Sequence, residues 1–214
     1  MQVGILGSGE VGQALGLGFA KLGHDVKIGS REPGADKLKP WVAKAGKRAS
    51  TGSFEDTARF ADIAVLATLW SGTEAALNLA VPRNLAGKVV IDVTNPLKFG
   101  PNQPPSLSVG FSDSGGEQVQ RWLPHSKVVK AFNTVGHAHM VQPDFPGGPP
   151  DMFICGNDAS AKHAVAGICG QFGWKVVDAG GIEGARLLEP LCMLWVLHGL
   201  QTGSWDHAFK LLHK

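Results

Sequence analysis

Short apolar runs alternate with amphipathic stretches along nearly the whole chain. Met1 to Leu6, Val26–Ile28, Ile63–Ala67, Lys88–Val93, Lys127–Phe132, Met152–Cys155 and Lys175–Asp178 read as strands, the apolar ones buried on both faces. Lys47–Ser50 reads as a further short strand. Between them the apolar spacing turns helical. Val11, Ala14, Leu15, Gly18, Phe19 and Leu22 form one stripe, and Gly23 fits the end of that helix. Helices are predicted over Trp41–Ala45, from Ser53 as N-cap to about Phe60, after Ser71 to about Leu79, over Glu117–Leu123, from an Asp158 or Ser160 cap to Phe172, and from Ala185 to about Leu200. A strand–helix alternation of this kind predicts an α/β fold with a parallel, doubly wound sheet. Leu97–Gly116, with Gly100-Pro101, Pro104-Pro105 and Gly115-Gly116, reads as a long loop, either a flap over a ligand or a surface insertion. Pro143–Pro150 reads as a second loop.

The first strand leads into Gly7-Ser8-Gly9-Glu10-Val11-Gly12, a G-x-G-x-x-G with a strand before it and a helix after it. In that context Gly7 makes the tight turn, Gly9 lets the backbone approach a pyrophosphate, and Gly12 lets the helix sit close on the strand. The helix N-terminus offers amide N–H groups to phosphate. The second strand ends in Ser30-Arg31, where NAD enzymes usually carry Asp or Glu. A hydroxyl followed by a guanidinium suits a 2′-phosphate, so NADP is expected over NAD, although Glu32 follows at once. Lys37 or Lys39 either adds charge at that phosphate or belongs to a solvated helix face. Ligands of such sheets lie beyond the carboxyl ends of the strands, so Gly7–Val11, Ser30–Arg31, Thr68–Trp70, Asn95–Pro96 and Asn133–His139 are expected to converge.

Composition narrows the class. The 214 residues are 43% hydrophobic, ample for a core, and the formal charge of +2 carries no nucleic-acid or anionic-membrane signature. Cys155, Cys169 and Cys192 are widely spaced and contain no C-x-x-C, which fits buried, reduced thiols in a cytoplasmic protein. The chain opens on a strand rather than a signal peptide, and no apolar run reaches membrane-spanning length. With no tyrosine, a phenol cannot act as general acid.

These segments resemble the F420-dependent NADP oxidoreductase family, whose fold is shared by the reductase domains of the STEAP ferric reductases. The resemblance runs through Gly7–Gly12, Gly29-Ser30-Arg31, Asp62–Ala67, Lys130-Ala131-Phe132-Asn133-Thr134, Cys155–Asp158 and Ala185–Leu191. It implies a Rossmann-type domain over residues 1–178, with residues 179–214 completing the substrate cleft. It also implies hydride transfer between NADP(H) and coenzyme F420, a planar deazaflavin. Carried over, Ser8, Gly9, Glu10 and Val11 would hold the pyrophosphate, with Gly7 at the turn beside them in the cofactor site, and Ser30 and Arg31 the 2′-phosphate. Thr68, Leu69 and Trp70 would line the adenosine–nicotinamide stretch, and Asn95, Pro96, Asn133 and His137 the nicotinamide. The chain departs from the family pattern at Gly136 and His137.

Hydride transfer needs two rings held face to face, with neither a nucleophile nor a metal. Only one long helix and a tail follow Asp178, so the acceptor is expected in the cleft over the nicotinamide. His137 and His139 stand at i, i+2 with no further ligand at metal spacing. His137 is therefore either a cleft residue or a solvated loop histidine. Trp70 either lines the cleft or caps the strand from the core. The last helix carries Leu187, Leu188, Leu191, Leu194, Trp195 and Leu197, more than one face can bury, which predicts a homodimer contact unless the whole helix is buried in one domain. Arg186 and Glu189, at i, i+3, are expected to pair. The alternatives to F420 are a flavin, quinone or ferric chelate as acceptor, or a non-catalytic NADP(H) sensor.

Overall fold

The computed structural model describes residues 1–100, 103–212 and 214. In chain order the strands and helices are β1 (Gln2–Leu6), α1 (Glu10–Lys21), β2 (Asp25–Gly29), α2 (Lys39–Ala45), β3 (Ala49–Gly52), α3 (Phe54–Phe60), β4 (Ile63–Leu66), α4 (Thr73–Ala80) and β5 (Val89–Asp92). They continue as β6 (Leu97–Gly100), β7 (Gln103–Leu107), α5 (Gly115–Trp122), β8 (Lys127–Lys130), β9 (Asp151–Gly156), α6 (Ala159–Gln171), β10 (Lys175–Asp178) and α7 (Ala185–Thr202). Eight strands form one sheet in the order β10-β9-β8-β5-β4-β1-β2-β3. The reversal of winding at β1 and β4 is that of a Rossmann-type fold.

Each face of the sheet buries its own core. On one side Leu15 and Phe19 of α1, Trp41 of α2 and Val165 and Ile168 of α6 pack over Val3, Ile5, Val65 and Val129. On the other, Phe54 and Ala58 of α3, Leu77 of α4, Val119 of α5 and Leu188 of α7 pack over Leu6, Leu66 and Val90. Alternation along each strand divides its side chains between the two cores, which is why the strands read as continuous apolar runs. Caps place the helix starts. Ser53 and Asp56 form a capping box on α3, and Asp158 accepts from the Ala161 amide at the start of α6.

The sheet departs from the sequence expectation in three places. β9 pairs with β8 in the antiparallel sense, through Val129–Gly156 and Lys130–Cys155, and β10 runs parallel to β9. A parallel partner would require a crossover element after β8; residues 131–150 contain only a single 3-10 turn at His137–His139, so the chain turns straight back. The third strand lies at Ala49–Gly52 rather than Lys47–Ser50, because Gly46–Arg48 forms a 3-10 turn first. The segment read as a loop from Leu97 contains the antiparallel ribbon β6–β7, with Leu97 opposite Leu107. An edge ribbon tolerates Pro104 and Pro105 because few of its N–H groups are needed for pairing. Pro101, in the same segment, lies outside the described residues.

A buried ionic cluster fastens α7 to the sheet. Lys130 at the end of β8 places Nζ 2.8 Å from Asp92 Oδ2 and 3.1 Å from Glu189 Oε1, and donates to the Thr94 carbonyl at 2.7 Å. All three side chains are buried. Glu189 accepts from the Gly115 and Gly116 amides at the start of α5, both at 2.9 Å. Two carboxylates share one ammonium, and the exposed amides and dipole of α5 offset the remaining negative charge. Burial pulls the Lys130 ammonium down, but Asp92 and Glu189 outweigh it and hold the group above its ordinary value, charged. Arg186 does not pair with Glu189, as the sequence spacing would have it. It makes a two-pronged bridge to Glu117 of α5, at 2.8 and 2.6 Å. The i, i+3 geometry loses because Glu189 points into the sheet while Arg186 points along α5.

Lys130→Met should leave two buried carboxylates without a cation and lower stability by about 3–5 kcal/mol. Adding Glu189→Gln should recover part of that loss. Urea denaturation checks both; a loss near the ~0–1 kcal/mol of a surface pair would show that the cluster is not the fastening described.

Candidate active site

The carboxyl ends of β1, β2, β4, β5 and β8 lie along one edge, and the chain segments leaving them meet there. Gly7 turns out of β1 with φ +130°, and a Cβ on it would sit 2.2 Å from the Ala67 carbonyl oxygen at the end of β4. A Cβ on Gly12 would sit 2.2 Å from the Gly7 carbonyl oxygen. These two glycines are required by the protein's own packing. Gly9 is different. It is the exposed N-cap of α1, in an extended conformation, and a Cβ there would meet nothing within 4 Å. The first-turn amides of α1 have no intrahelical acceptor. The turn is steadied by Gln13, whose Nε2 donates to the Ser8 carbonyl at 2.9 Å.

Ser30, at the end of β2, is buried and lies 3.5 Å (Oγ to Oγ) from Ser8, while the Glu32 amide donates to its hydroxyl at 3.1 Å. Arg31 beside it is exposed. Lys39 is taken up by Asp36, Nζ to Oδ1 2.7 Å, and Lys37 is exposed on the same turn. Along the edge, Thr68 shares a hydrogen bond with Thr73 at 2.9 Å, and Leu69 projects into solvent. Trp70 stacks on Trp122, ring centres 5.5 Å apart, and its ring lies against Gly115. It lies outside the lining of the cavity described next.

Beyond β5 and β8 the edge opens into a mostly apolar cavity of about 430 Å³, with Val11, Asn95, Asn133, His137, Trp195 and Trp205 among its lining. Its size is within the usual range of small-ligand sites, about 300–1,000 Å³. Two asparagines hold its floor. Asn95 Nδ2 donates to the Asn133 carbonyl at 2.9 Å, and Asn133 Nδ2 donates to Asn95 Oδ1 at 3.0 Å and to the Leu188 carbonyl of α7 at 2.9 Å. Both partners of Asn133 Nδ2 are acceptors, so the amide orientation is fixed. That leaves Asn133 Oδ1, buried and without a hydrogen-bond partner, as an acceptor at a cavity-lining residue. Phe132, just before it, is held at φ +59°, a strained conformation for an aromatic residue at the point where β8 ends.

His137 is half exposed, lines the cavity, and faces Glu10 across 3.6 Å from Nδ1 to Oε2. His139 is not part of that lining, and its Nε2 lies 2.9 Å from Asp206, which is. Among the described residues no three His, Cys, Asp or Glu side chains are grouped to hold a metal. Nor is any helix of the described residues long and apolar enough to cross a membrane. The three cysteines are free and buried, and burial pushes each thiol up to about 12. Cys192 contributes to the cavity wall.

The sequence reading missed the cluster of Asp92, Lys130 and Glu189 and the cavity wall of Trp195 and Trp205. The first had a signal: a charged residue ending each of two apolar strands and a lone acid within an apolar helix call for one another. The second had none, because Trp205 reaches the cavity only through the way the tail folds back.

Comparison with known proteins places this architecture. Residues 2–96 match the family model described as NADP oxidoreductase, coenzyme F420-dependent. An F420-dependent NADP reductase of Methanocaldococcus jannaschii is 32% identical over 206 residues, which is 92% of this chain and 91% of that protein. A crystal structure provisionally described as an F420-dependent NADP reductase of Arthrobacter sp. FB24 superimposes with a TM-score of 0.94 at 37% identity, covering all of both chains. The metalloreductase STEAP3 of Rattus norvegicus is 28% identical over 89% of this chain, which spans only 36% of that longer protein.

The glycines separate fold from ligand. Gly12→Ala forces a backbone clash and should cost about 1–3 kcal/mol of stability. Gly9→Ala should stay within about 1 kcal/mol of the parent. Thermal melts of the two variants test this; equal destabilisation would mean that the space at Gly9 is taken up by the protein itself.

Proposed function

This chain belongs to the family of coenzyme F420-dependent NADP oxidoreductases, and we propose on that premise that it transfers a hydride between NADP(H) and coenzyme F420. The observation that carries the reading is the strand-end edge that runs from the open space at Gly9 to the cavity lined by Asn95 and Asn133. A dinucleotide laid along this edge would put its pyrophosphate on Gly7, Ser8, Gly9, Glu10 and Val11, where a helix N-terminus offers amides. Ser30 and Arg31 would take the 2′-phosphate, with the guanidinium supplying charge and a planar fork. Thr68, Leu69 and Trp70 would flank the middle of the molecule. Asn95, Pro96, Asn133 and His137 would surround the nicotinamide.

The chemistry the nicotinamide supplies when bound is hydride donation to a ring acceptor, which then takes a proton from solvent. The protein's part is to orient and to exclude water. The reciprocal Asn95–Asn133 bonds hold the floor rigid, and the apolar lining keeps the two rings dry. Two further features fit the reading. The exposed Leu187, Leu194 and Leu200 on α7 suit a homodimer contact. The free, buried thiols suit a cytoplasmic protein. Residues 1–178 would then be the NADP-binding domain and 179–214 the segment that completes the cleft.

Loss of the F420 absorbance band on mixing protein, NADPH and F420 is the expected result. FMN and a ferric chelate run in parallel cover the reading that the STEAP3 similarity favours. Binding of NADPH without turnover of any acceptor would instead indicate a sensor. Arg31→Ala should weaken NADPH on the order of ten- to a hundredfold while leaving NADH nearly unchanged. Equal loss for both nucleotides would remove Arg31 from the 2′-phosphate.

A further inference from the structure

The cavity has two unlike walls. The inner one is made by the start of α1 and the strand ends, through Val11, Asn95 and Asn133, and the outer one by α7 and the tail, through Trp195 and Trp205. The outer wall is fastened with unusual care for a terminal segment. Gly203, at φ +69°, ends α7 and sends the chain back. Trp205 then lies over Gly199, where any Cβ would sit 2.5 Å from its ring. Trp195 Nε1 donates to the His207 carbonyl at 2.8 Å, and His207 Nε2 lies 2.9 Å from the Trp195 carbonyl. The two rings also stack, 4.8 Å apart. Asp206 is tied to His139, and farther along the Asp151 amide donates to the Phe209 carbonyl at 3.0 Å while the Leu211 amide donates to Asp151 Oδ2 at 2.6 Å. Terminal residues usually fray unless something ties them down. Here the ties lead to one result: an indole, 43% exposed, set beside Trp195 at 5.2 Å on the open side of the cavity.

We propose that residues 203–212 are a strap closing the acceptor side of the cavity, and that Trp205 is its specificity-determining residue, holding a planar heteroaromatic acceptor by ring stacking. This rests on the reading that the cavity takes the nicotinamide and its acceptor. A half-exposed indole adds little to the core but presents a flat polarisable face to a ring. Gly136 leaves the room that sets the wall, since a Cβ there would come within 3.1 Å of the Trp195 ring.

The test is equilibrium binding, read by the fluorescence anisotropy of F420, with FMN as a second planar probe, on protein saturated with NADP⁺. Trp205→Ala and Trp205→Leu should each weaken F420 by about tenfold or more, as expected for loss of one ring–aromatic stack, and Trp205→Phe should recover most of it. Leucine keeps bulk under the strap without a ring face, so it separates stacking from packing if the alanine variant loosens the tail. NADPH affinity should stay within twofold in all three. A leucine variant with parental F420 affinity, or one that loses NADPH in parallel, overturns the strap. Parent protein that fails to bind NADPH, or that binds NADPH but neither F420 nor FMN, overturns the underlying reading of the cavity and the strap with it.

Discussion

Lys130 is the point on which the geometry of this protein turns. A buried ammonium is tolerable only with anionic partners, and here it gathers Asp92 from the neighbouring strand, Glu189 from the last helix and the Thr94 carbonyl from the chain leaving β5. Through Glu189 the same cluster reaches the first two amides of α5. Four elements distant in sequence are thereby locked at the carboxyl ends of β5 and β8. A buried ion pair is weak evidence for stability in itself, because desolvation offsets most of the attraction. Its directional demands nonetheless leave α7 one seat on the sheet, with Leu188 over the apolar core and its carbonyl presented to Asn133.

That seat is what creates a cavity rather than an open crevice. The edge proposed for the dinucleotide belongs to the first half of the chain, where the turn from β1 into α1 leaves open space at Gly9. The second half turns back after β8 without a crossover, so β9 runs antiparallel and its start, Asp151, becomes the anchor for the tail. Helix α7 then crosses the strand ends, and the tail returns along it to set two indoles opposite the asparagine pair. Here one helix and about ten tail residues supply the outer wall of the cavity.

Much of this was legible in the residues alone. The strand–helix alternation, the glycine turn and the Ser53 and Asp158 caps are local properties, set by side-chain periodicity and by hydrogen bonds within three or four residues. The convergence of Gly7, Ser30, Asn95 and Asn133 was legible as well, because parallel strands in one sheet must end at one edge. The same local rules misread Arg186 and Glu189 as partners. Sequence spacing could not show that one carboxylate faces a buried lysine and the other side chain a carboxylate on α5. The proline-rich ribbon β6–β7 looked like a loop because turn residues are also admitted on a sheet edge.

The sequence by itself determined the fold class, the glycine turn after β1 and the strand ends that share one edge, since each is encoded by residues adjacent along the chain. Tertiary structure alone decided the sense of β9, the ionic cluster that seats α7 and the aromatic wall of the cavity. These depend on contacts between residues tens of positions apart, whose energies come from burial and charge pairing and leave no periodic trace in the chain.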